Sequence, residues 1–337
     1  MSTKKKTYFT LLIAEAVGHR ALKALSSSKK AATVHSIFDH AFYIRAGGDF
    51  LINIIKNKNY ISPTSILIRG FEDKPFRSLG IKEGTKIRFR DNSLAFENNV
   101  LGIKFEKPST WSSPPLPEQE SFVDLSINLR VLRDVIYTCP SREGLVPLLE
   151  NVELYGPVQL FLHPQKPALS ERARPGIETL MWGLYMGDLN MVASRALSLL
   201  GLGPGLTPSC DDFLTGLTLS LNIGGKRLLK KRKNDLGFYR KVSSEICRAA
   251  KEKTTIHSQS FLNQARRGEG PKAVVELVHT LLTKSPDDVT ASAKTVINMG
   301  ETSGSDIAIG IYYGIRFLLS KLELQELENI EDLYGIA

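Results

Sequence analysis

The sequence predicts an α+β fold, with a small antiparallel β barrel or sandwich at the N-terminus and a helical domain at the C-terminus. Short β-prone runs dominate the first part of the chain, and apolar residues recur at helical spacing in the rest. A segment rich in proline and serine, residues 107–117, separates the two patterns as a linker would. The 337 residues are enough for two domains with their own cores, which we place at residues 1–110 and 118–337.

The β-prone runs alternate apolar with polar side chains, as at residues 87–90, which is the period of a half-buried strand. Turn-forming residues separate the runs, as at residues 47–49 and 91–93. Because no helix of parallel-crossover length lies between them, we expect antiparallel pairing over residues 28–108. The predicted strands are residues 33–38, 41–45, 50–55, 65–69, 86–89, 93–96 and 100–105.

The second region has broad apolar faces at helical spacing, so its helices are expected to pack on one another in a bundle-like domain. One stretch, residues 152–163, is either a strand or an irregular apolar segment. The predicted helices are residues 125–137, 144–149, 177–200, 211–221, 237–251, 258–267, 273–283, 287–298 and 305–322.

The chain carries a formal net charge of +9, which favours anionic partners. Two kinds of anion remain open: a small metabolite, or nucleic acid bound through the basic cluster at residues 226–233. No aromatic residues are interleaved with this cluster, and it follows Gly224 and Gly225. We therefore expect a solvated connection between helices, and an anionic small molecule rather than nucleic acid as the ligand.

The three cysteines, Cys139, Cys210 and Cys247, are widely spaced and form no zinc pattern, which suits a reducing cytoplasm. No apolar run reaches the roughly 18 residues that suggest a membrane span. Residues 4–20 lack a clear signal-peptide cleavage site. We expect a cytoplasmic protein that has no membrane partner.

A glycine-rich loop leads into a helix at residues 201–216. Thr207 offers an N-cap hydroxyl, and Pro208 stands where the first helical residue is expected. Such a helix start leaves backbone N–H groups unpaired, and these groups bind phosphate or carboxylate. The alternative is a well-capped helix after a flexible turn. Cys210 is either a reactive thiol or a small filler residue.

The same pattern recurs at residues 300–310, where Gly300, Thr302 and Asp306 repeat Gly205, Thr207 and Asp211 in step. An apolar helical segment follows both copies. Two such helix starts are expected to converge on one ligand. The carboxylates favour hydrogen-bond donors or cations, which suits a ligand with both an anionic group and an amide, or a phosphate with Mg²⁺. Alternatively, they only complement the helix dipole.

On these motifs the sequence resembles the bacterial domain-of-unknown-function family that includes the AllH subunit of oxamate carbamoyltransferase, from anaerobic allantoin breakdown. Residues 201–213 match the family's Gly-Leu-Gly-Pro-Gly-Leu-Thr-Pro-Ser-Gly-Asp-Asp-Phe signature except at Cys210, where the family usually has glycine. Shorter signatures match elsewhere, so the resemblance spans most of the chain. The matching residues are Ser303, Gly304 and Asp306; Thr255, Ser258, Leu262, Ala265 and Gly268; and His35, Ser36 and Phe38.

The resemblance implies a subunit of an enzyme that transfers a carbamoyl group between carbamoyl phosphate and oxamate, alongside AllF-like and AllG-like partner subunits. The predicted catalytic residues are Asp211, Asp212 and Asp306, one of which would orient an amide nitrogen for attack. The predicted substrate-binding residues are Gly203, Gly205, Thr207, Ser209, Thr302, Ser303, Gly304, Ser258 and His35. We predict no metal-ligating residues, and Mg²⁺ remains open as a cofactor.

A rival hypothesis is a non-catalytic metabolite-binding or assembly subunit that uses the same pocket. We also expect His257 to be a surface residue rather than a general base.

Overall fold

The computed structural model describes residues 9–27, 32–71, 73–97, 100–117, 123–139, 143–150, 168–230 and 233–334. The chain divides into two compact units, Met1–Pro114 and Pro115–Ala337, with the boundary inside the proline-rich segment. The segment at residues 152–163, left open by the sequence, lies outside the described residues.

The first unit is an eight-stranded barrel, because β1 (Thr10–Gly18) pairs with both β5 (Ser65–Arg69) and β8 (Leu101–Lys104) and so closes the sheet. A ninth short strand pairs with the end of β1, beyond the part of β1 that pairs with β8. A helix, α1 (His19–Ser27), follows β1. The strands are β1 (Thr10–Gly18), β2 (Ala32–Ile37), β3 (Ala41–Arg45), β4 (Leu51–Ile55), β5 (Ser65–Arg69), β6 (Lys86–Arg90), β7 (Ser93–Phe96), β8 (Leu101–Lys104) and β9 (Ser109–Trp111).

The barrel is confirmed, but its pairing is mixed rather than wholly antiparallel. β4 pairs with β5 in parallel, and β1 pairs in parallel with β8 and β9. The sequence prediction missed β1, because its residue types do not alternate between apolar and polar even though its side chains alternate in burial over Leu11–Ala16. Without β1 the parallel closure could not be foreseen. Wholly buried side chains such as Phe42, Ile54 and Leu94 fill the core of this unit.

The second unit is helical in the residues described. One predicted helix, residues 177–200, proves to be two, because Gly187 takes a left-handed conformation and Asp188 caps the next helix. The helices are α2 (Leu125–Tyr137), α3 (Pro147–Glu150), α4 (Leu169–Met186), α5 (Leu189–Leu199), α6 (Ser209–Leu228), α7 (Lys233–Lys253), α8 (Ile256–Ala265), α9 (Lys272–Thr283), α10 (Pro286–Ile297) and α11 (Ser303–Tyr334).

Helices α6 and α11 form the centre of this unit. Every residue of α6 from Ser209 to Gly225 is buried, which is typical of a helix enclosed by others. Glycines let the two backbones touch: a Cβ on Gly216 would lie 2.1 Å from the carbonyl oxygen of Ile307. A Cβ on Gly310 would lie 2.0 Å from the carbonyl oxygen of Phe213.

The pair runs parallel, since the helix starts lie together and contacts continue in the same order along both helices. Gly314 packs against Ser220, and Gly224 farther along α6 packs against Leu318 farther along α11. This arrangement brings both helix N-termini to one end of the unit.

We expect Gly216→Ala and Gly310→Ala to destabilise the protein by about 1–3 kcal/mol or more, because the added methyl group must push two backbones apart. Gly237→Ala on α7 is the matched control, since a Cβ there has no neighbour within 4 Å. That change should stabilise the helix by about 0.5–1 kcal/mol. Denaturant unfolding of each full-length variant measures the difference, and equal effects at all three sites would contradict the close backbone contact.

Candidate functional site

The starts of α6 and α11 lie side by side. The hydroxyls of Thr207, just before α6, and Ser303, the first residue of α11, are hydrogen-bonded at 3.0 Å. The predicted capping role of Thr207 is therefore wrong. Pro208 occupies the N-cap position without a side-chain cap, and the Thr207 hydroxyl bonds across to α11 instead. Thr207, Thr302 and Ser303 are half-buried, so this junction reaches the surface of the unit.

Asp211 connects the glycine-rich loop before α6 to the segment before α8 through hydrogen bonds. Its carboxylate is fully buried and accepts hydrogen bonds from the amide of Gly201, at 2.8 Å, and from the hydroxyl of Thr254. The next residue, Thr255, caps α8 and donates its hydroxyl to the carbonyl of Leu206 in the loop. Both oxygens of Asp211 are thus used within the fold, and this residue holds the loop in place.

Asp212 and Asp306 are equally buried, but each keeps one oxygen without a well-formed hydrogen bond. Oδ1 of Asp306 accepts from the amide of Leu145 at 2.7 Å. Oδ2 of Asp306, Oδ2 of Asp212 and Oγ of Ser209 have no hydrogen bond of good geometry within the described residues. The nearby hydroxyls of Ser209 and Thr302 still lower the pKa of Asp306, and those of Ser303 and Thr207 lower the pKa of Asp212. Buried polar atoms without well-formed hydrogen bonds are rare and costly, so a better-placed donor would stabilise these atoms.

Burial raises the pKa of all three carboxyl groups, but to different extents. It raises the pKa of Asp306 to about 6, against the opposing effect of the Leu145 amide. Burial, with the neighbouring charges of Asp306 and Asp211, raises the pKa of Asp212 well above its usual range. The pKa of Asp211 is also raised by burial, although its hydrogen bonds oppose the shift. Near neutral pH Asp306 is therefore mostly ionised and can accept a hydrogen bond, whereas burial favours the protonated form of Asp212, which can donate one.

The backbone amides at the start of α6 are less open than the glycine pattern predicts. The amide of Cys210 donates to the carbonyl of Leu202 at 3.1 Å. The amides of Asp211 and Asp212 donate to the carbonyl of Pro208, at 2.8 and 3.1 Å. The site consequently offers carboxyl and hydroxyl groups more than an open row of N–H donors.

Each of the candidate glycines has a different structural role. Gly203 has a φ of 128°, and a Cβ there would lie 2.5 Å from the amide nitrogen of Ser209, so only glycine lets the loop lie on the helix start. Gly304 packs α11 against the end of α10, where a Cβ would lie 1.9 Å from the carbonyl oxygen of Val296. Gly205 is exposed and has no neighbour within 4 Å of its Cβ position.

The remaining candidates divide between the two units. Ser258 is buried at the start of α8, and its hydroxyl lowers the pKa of Asp211. His35 lies on β2 in the barrel unit, half-buried, with Nδ1 3.3 Å from the hydroxyl of Ser36. The expectation that His257 is a surface residue is wrong, because its side chain is only 2% exposed in the packed helical unit.

Two partners of the site escaped sequence reasoning. The amide of Leu145 is a backbone donor, and a backbone donor leaves no signal in a residue pattern. Its neighbour Gly144 lies so close to Asp306 that a Cβ would meet Oδ1 at 2.5 Å. Thr254, which precedes the capping threonine of α8, carries only a weak signal because threonines near helix starts are common.

The described residues contain no group of three or more His, Cys, Asp and Glu side chains arranged to hold a metal ion. The described residues thus supply no set of ligands for the Mg²⁺ that the sequence left open. Among the helices that the structure describes, none has both the length and the apolar character needed to cross a membrane.

The fold and site define a class of protein: a barrel unit joined to a helical unit, in which a parallel pair of helix starts encloses acidic side chains. The chain belongs to the AllH family. Residues 199–315 match the family model described as oxamate carbamoyltransferase subunit AllH, and residues 12–110 match the AllH family N-terminal domain. The family model thus includes both helix starts, and the resemblance drawn from the sequence motifs is confirmed. The search of solved structures found no significant match.

The raised pKa of Asp306 makes stability depend on pH. Its pKa of about 6 exceeds the usual 3.8, so the folded chain binds this proton more tightly than the unfolded chain. The resulting stabilisation is fully present below the unfolded-state pKa and is lost as the pH rises through the folded-state value. Between about pH 4 and about pH 7, wild-type protein should therefore lose up to about 3 kcal/mol of unfolding free energy relative to Asp306→Asn.

Urea unfolding of both proteins across this range measures the difference. Removing the charge of Asp306 also lowers the pKa of Asp212, which acts in the same direction. A difference in unfolding free energy that stays constant with pH would contradict the raised pKa.

Burial raises the pKa of the Cys210 thiol to about 12, and the side chain is inaccessible. We expect Cys210 to resist a thiol reagent in the folded protein and to react once the chain is unfolded. Comparing wild-type protein with Cys210→Ala isolates this thiol from Cys139 and Cys247. A faster reaction of folded wild-type protein than of the variant would show a reactive Cys210 instead.

Proposed function

We propose that this chain is a subunit of an oxamate-carbamoyltransferase-like enzyme and binds its amide substrate at the paired starts of α6 and α11. The observation that carries the proposal is the pair of buried carboxyl oxygens that lack a well-formed hydrogen bond, Oδ2 of Asp212 and Oδ2 of Asp306, beside a hydroxyl-lined junction. The family name supports carbamoyl transfer and a multi-subunit assembly.

Oxamate suits this arrangement because it joins a primary amide to a carboxylate. The amide offers N–H donors that Oδ2 of Asp306 can accept. The hydroxyls of Thr207, Ser209 and Ser303 can donate to the substrate carboxylate. The positive ends of two helix dipoles offset part of the negative charge that the substrate brings beside Asp306. A purely apolar metabolite would leave these oxygens unpaired and would bind poorly.

The proposed step is attack by the amide nitrogen on the carbonyl carbon of carbamoyl phosphate. The N–C bond forms as the bond from that carbon to the phosphate oxygen breaks, and phosphate leaves with the electron pair. Asp306 accepts the proton that the nitrogen loses, since its pKa of about 6 leaves it ionised near neutral pH. Protonated Asp212 acts as a hydrogen-bond donor that orients the substrate.

The proposal extends to the surroundings of the enzyme. AllF-like and AllG-like chains are the proposed partner subunits, allantoin degradation is the proposed pathway, and the cytoplasm is the proposed compartment. Three free cysteines, all buried, suit a reducing compartment.

The test is carbamoyl transfer from carbamoyl phosphate to oxamate by the purified chain, alone and with its AllF-like and AllG-like partners. Asp306→Asn should lower kcat by about 10²–10⁴-fold, because an amide cannot accept the proton. Asp212→Asn should cost only about tenfold, because an amide still donates a hydrogen bond as the protonated acid does.

Asp287→Asn is the control, since Asp287 is an exposed carboxylate in the first turn of a different helix, α10. Its kcat should equal that of the wild type. Oxamate binding without turnover, in the presence of the partners, would favour the non-catalytic metabolite-binding subunit. Equal loss in Asp212→Asn and Asp306→Asn would contradict the division of roles.

A further inference from the structure

A second polar cavity lies in the helical unit, away from the helix starts, with a volume of about 430 Å³. Residues of α2, α4 and α11 line it. We propose that this cavity binds a phosphate monoester, with its phosphate held by Arg130, Arg133 and Arg316. The proposal is independent of the reaction at the helix starts.

The charge of the lining is the first argument. Three arginines line one cavity, Glu323 is the one acidic residue in that lining, and Asp134 pairs with Arg133 without lining the cavity. Arg130 and Arg133 are three residues apart on α2 and so lie on the same face of that helix. No carboxylate in the described part of the chain forms an ion pair with Arg130 or Arg316. Like charges gathered in this way repel one another until an anion joins them.

The arginine side chains are placed to act together. Arg133 is only 18% exposed and lies 3.3 Å from the exposed carboxylate of Asp134. Arg316 lies across the cavity on α11, with one guanidinium nitrogen 3.5 Å from the Tyr312 hydroxyl. A guanidinium group presents paired N–H donors that match two phosphate oxygens, and a phosphate has enough oxygens for several such groups.

The neutral part of the lining favours an ester over bare phosphate. The rings of Tyr185 and Tyr312 and the side chain of Leu319 give the cavity an apolar wall. The Ser320 hydroxyl donates to the carbonyl of Phe317 at 2.7 Å and lies 3.0 Å from the Tyr185 oxygen, a contact that holds the Tyr185 ring in the wall of the cavity. The volume of the cavity is within the range of small-molecule sites and exceeds what inorganic phosphate fills.

This cavity and the helix-start site are separate and opposite in charge. Arg316 follows Asp306 by ten residues on α11, which is about 15 Å along a helix. Buried carboxyl groups dominate the first site, whereas guanidinium groups dominate the second. The lining of the cavity is therefore suited to a phosphate group in its own right, independently of the carbamoyl phosphate proposed at the first site.

Isothermal titration calorimetry of the full chain at low ionic strength, with phenyl phosphate and with inorganic phosphate as probes, tests the proposal. Wild-type protein should bind phenyl phosphate saturably and more tightly than inorganic phosphate. Arg130→Gln and Arg316→Gln should each weaken phenyl phosphate binding by about tenfold, since each removes a charge-assisted contact. The double variant should show no saturable binding.

Arg195→Gln is the matched control, because Arg195 is an exposed helix arginine on α5 outside the cavity. Its affinity should equal that of the wild type. Arg130 and Arg316 are themselves exposed, and equal thermal midpoints of all variants would show that they fold. Absence of saturable binding to the wild type, or wild-type affinity in the double variant, would overturn the proposal.

Discussion

The direct backbone contact between α6 and α11 is the constraint on which the helical unit depends. Gly216 and Gly310 bring the two helices closer than any side chain would allow. Because the helices run parallel, this contact also sets the separation of their starts, where Thr207 meets Ser303. A change in packing in the middle of the pair is therefore transmitted to the polar groups at its end.

The same packing explains why carboxyl groups with different properties stand so close together. Asp211 is satisfied by the loop and by Thr254, whereas Asp212 and Asp306 each keep an oxygen without a well-formed hydrogen bond in the same buried environment. Two helix dipoles have their positive ends at this point, and they reduce the free-energy cost of burying the acidic groups. The difference between the fully hydrogen-bonded Asp211 and the other two aspartates thus follows from which hydrogen-bond donors the surrounding loops supply.

Much of the architecture could be predicted from residue patterns, because period-two strands and helical apolar faces are local signals. The predictions failed where a distant partner decides the structure. The strand β1 alternates in burial over Leu11–Ala16, but both of its faces carry mainly apolar residues, so its sequence shows no alternation of residue type. At the site, the motifs identified Asp211, Asp212 and Asp306, but their different pKa values depend on burial and on the Leu145 amide, which residue spacing does not report.

The position of β1 at the centre of three pairings has a consequence for synthesis of the protein. Residues near the start of the chain pair with β8 and β9, which leave the ribosome last among the strands of this unit. The barrel consequently cannot close until its whole sequence has emerged. Until then, the backbone groups of β1 that pair with β8 and β9 remain without those partners. Such long-range closure slows folding and exposes the nascent chain to aggregation through this unpaired edge of β1.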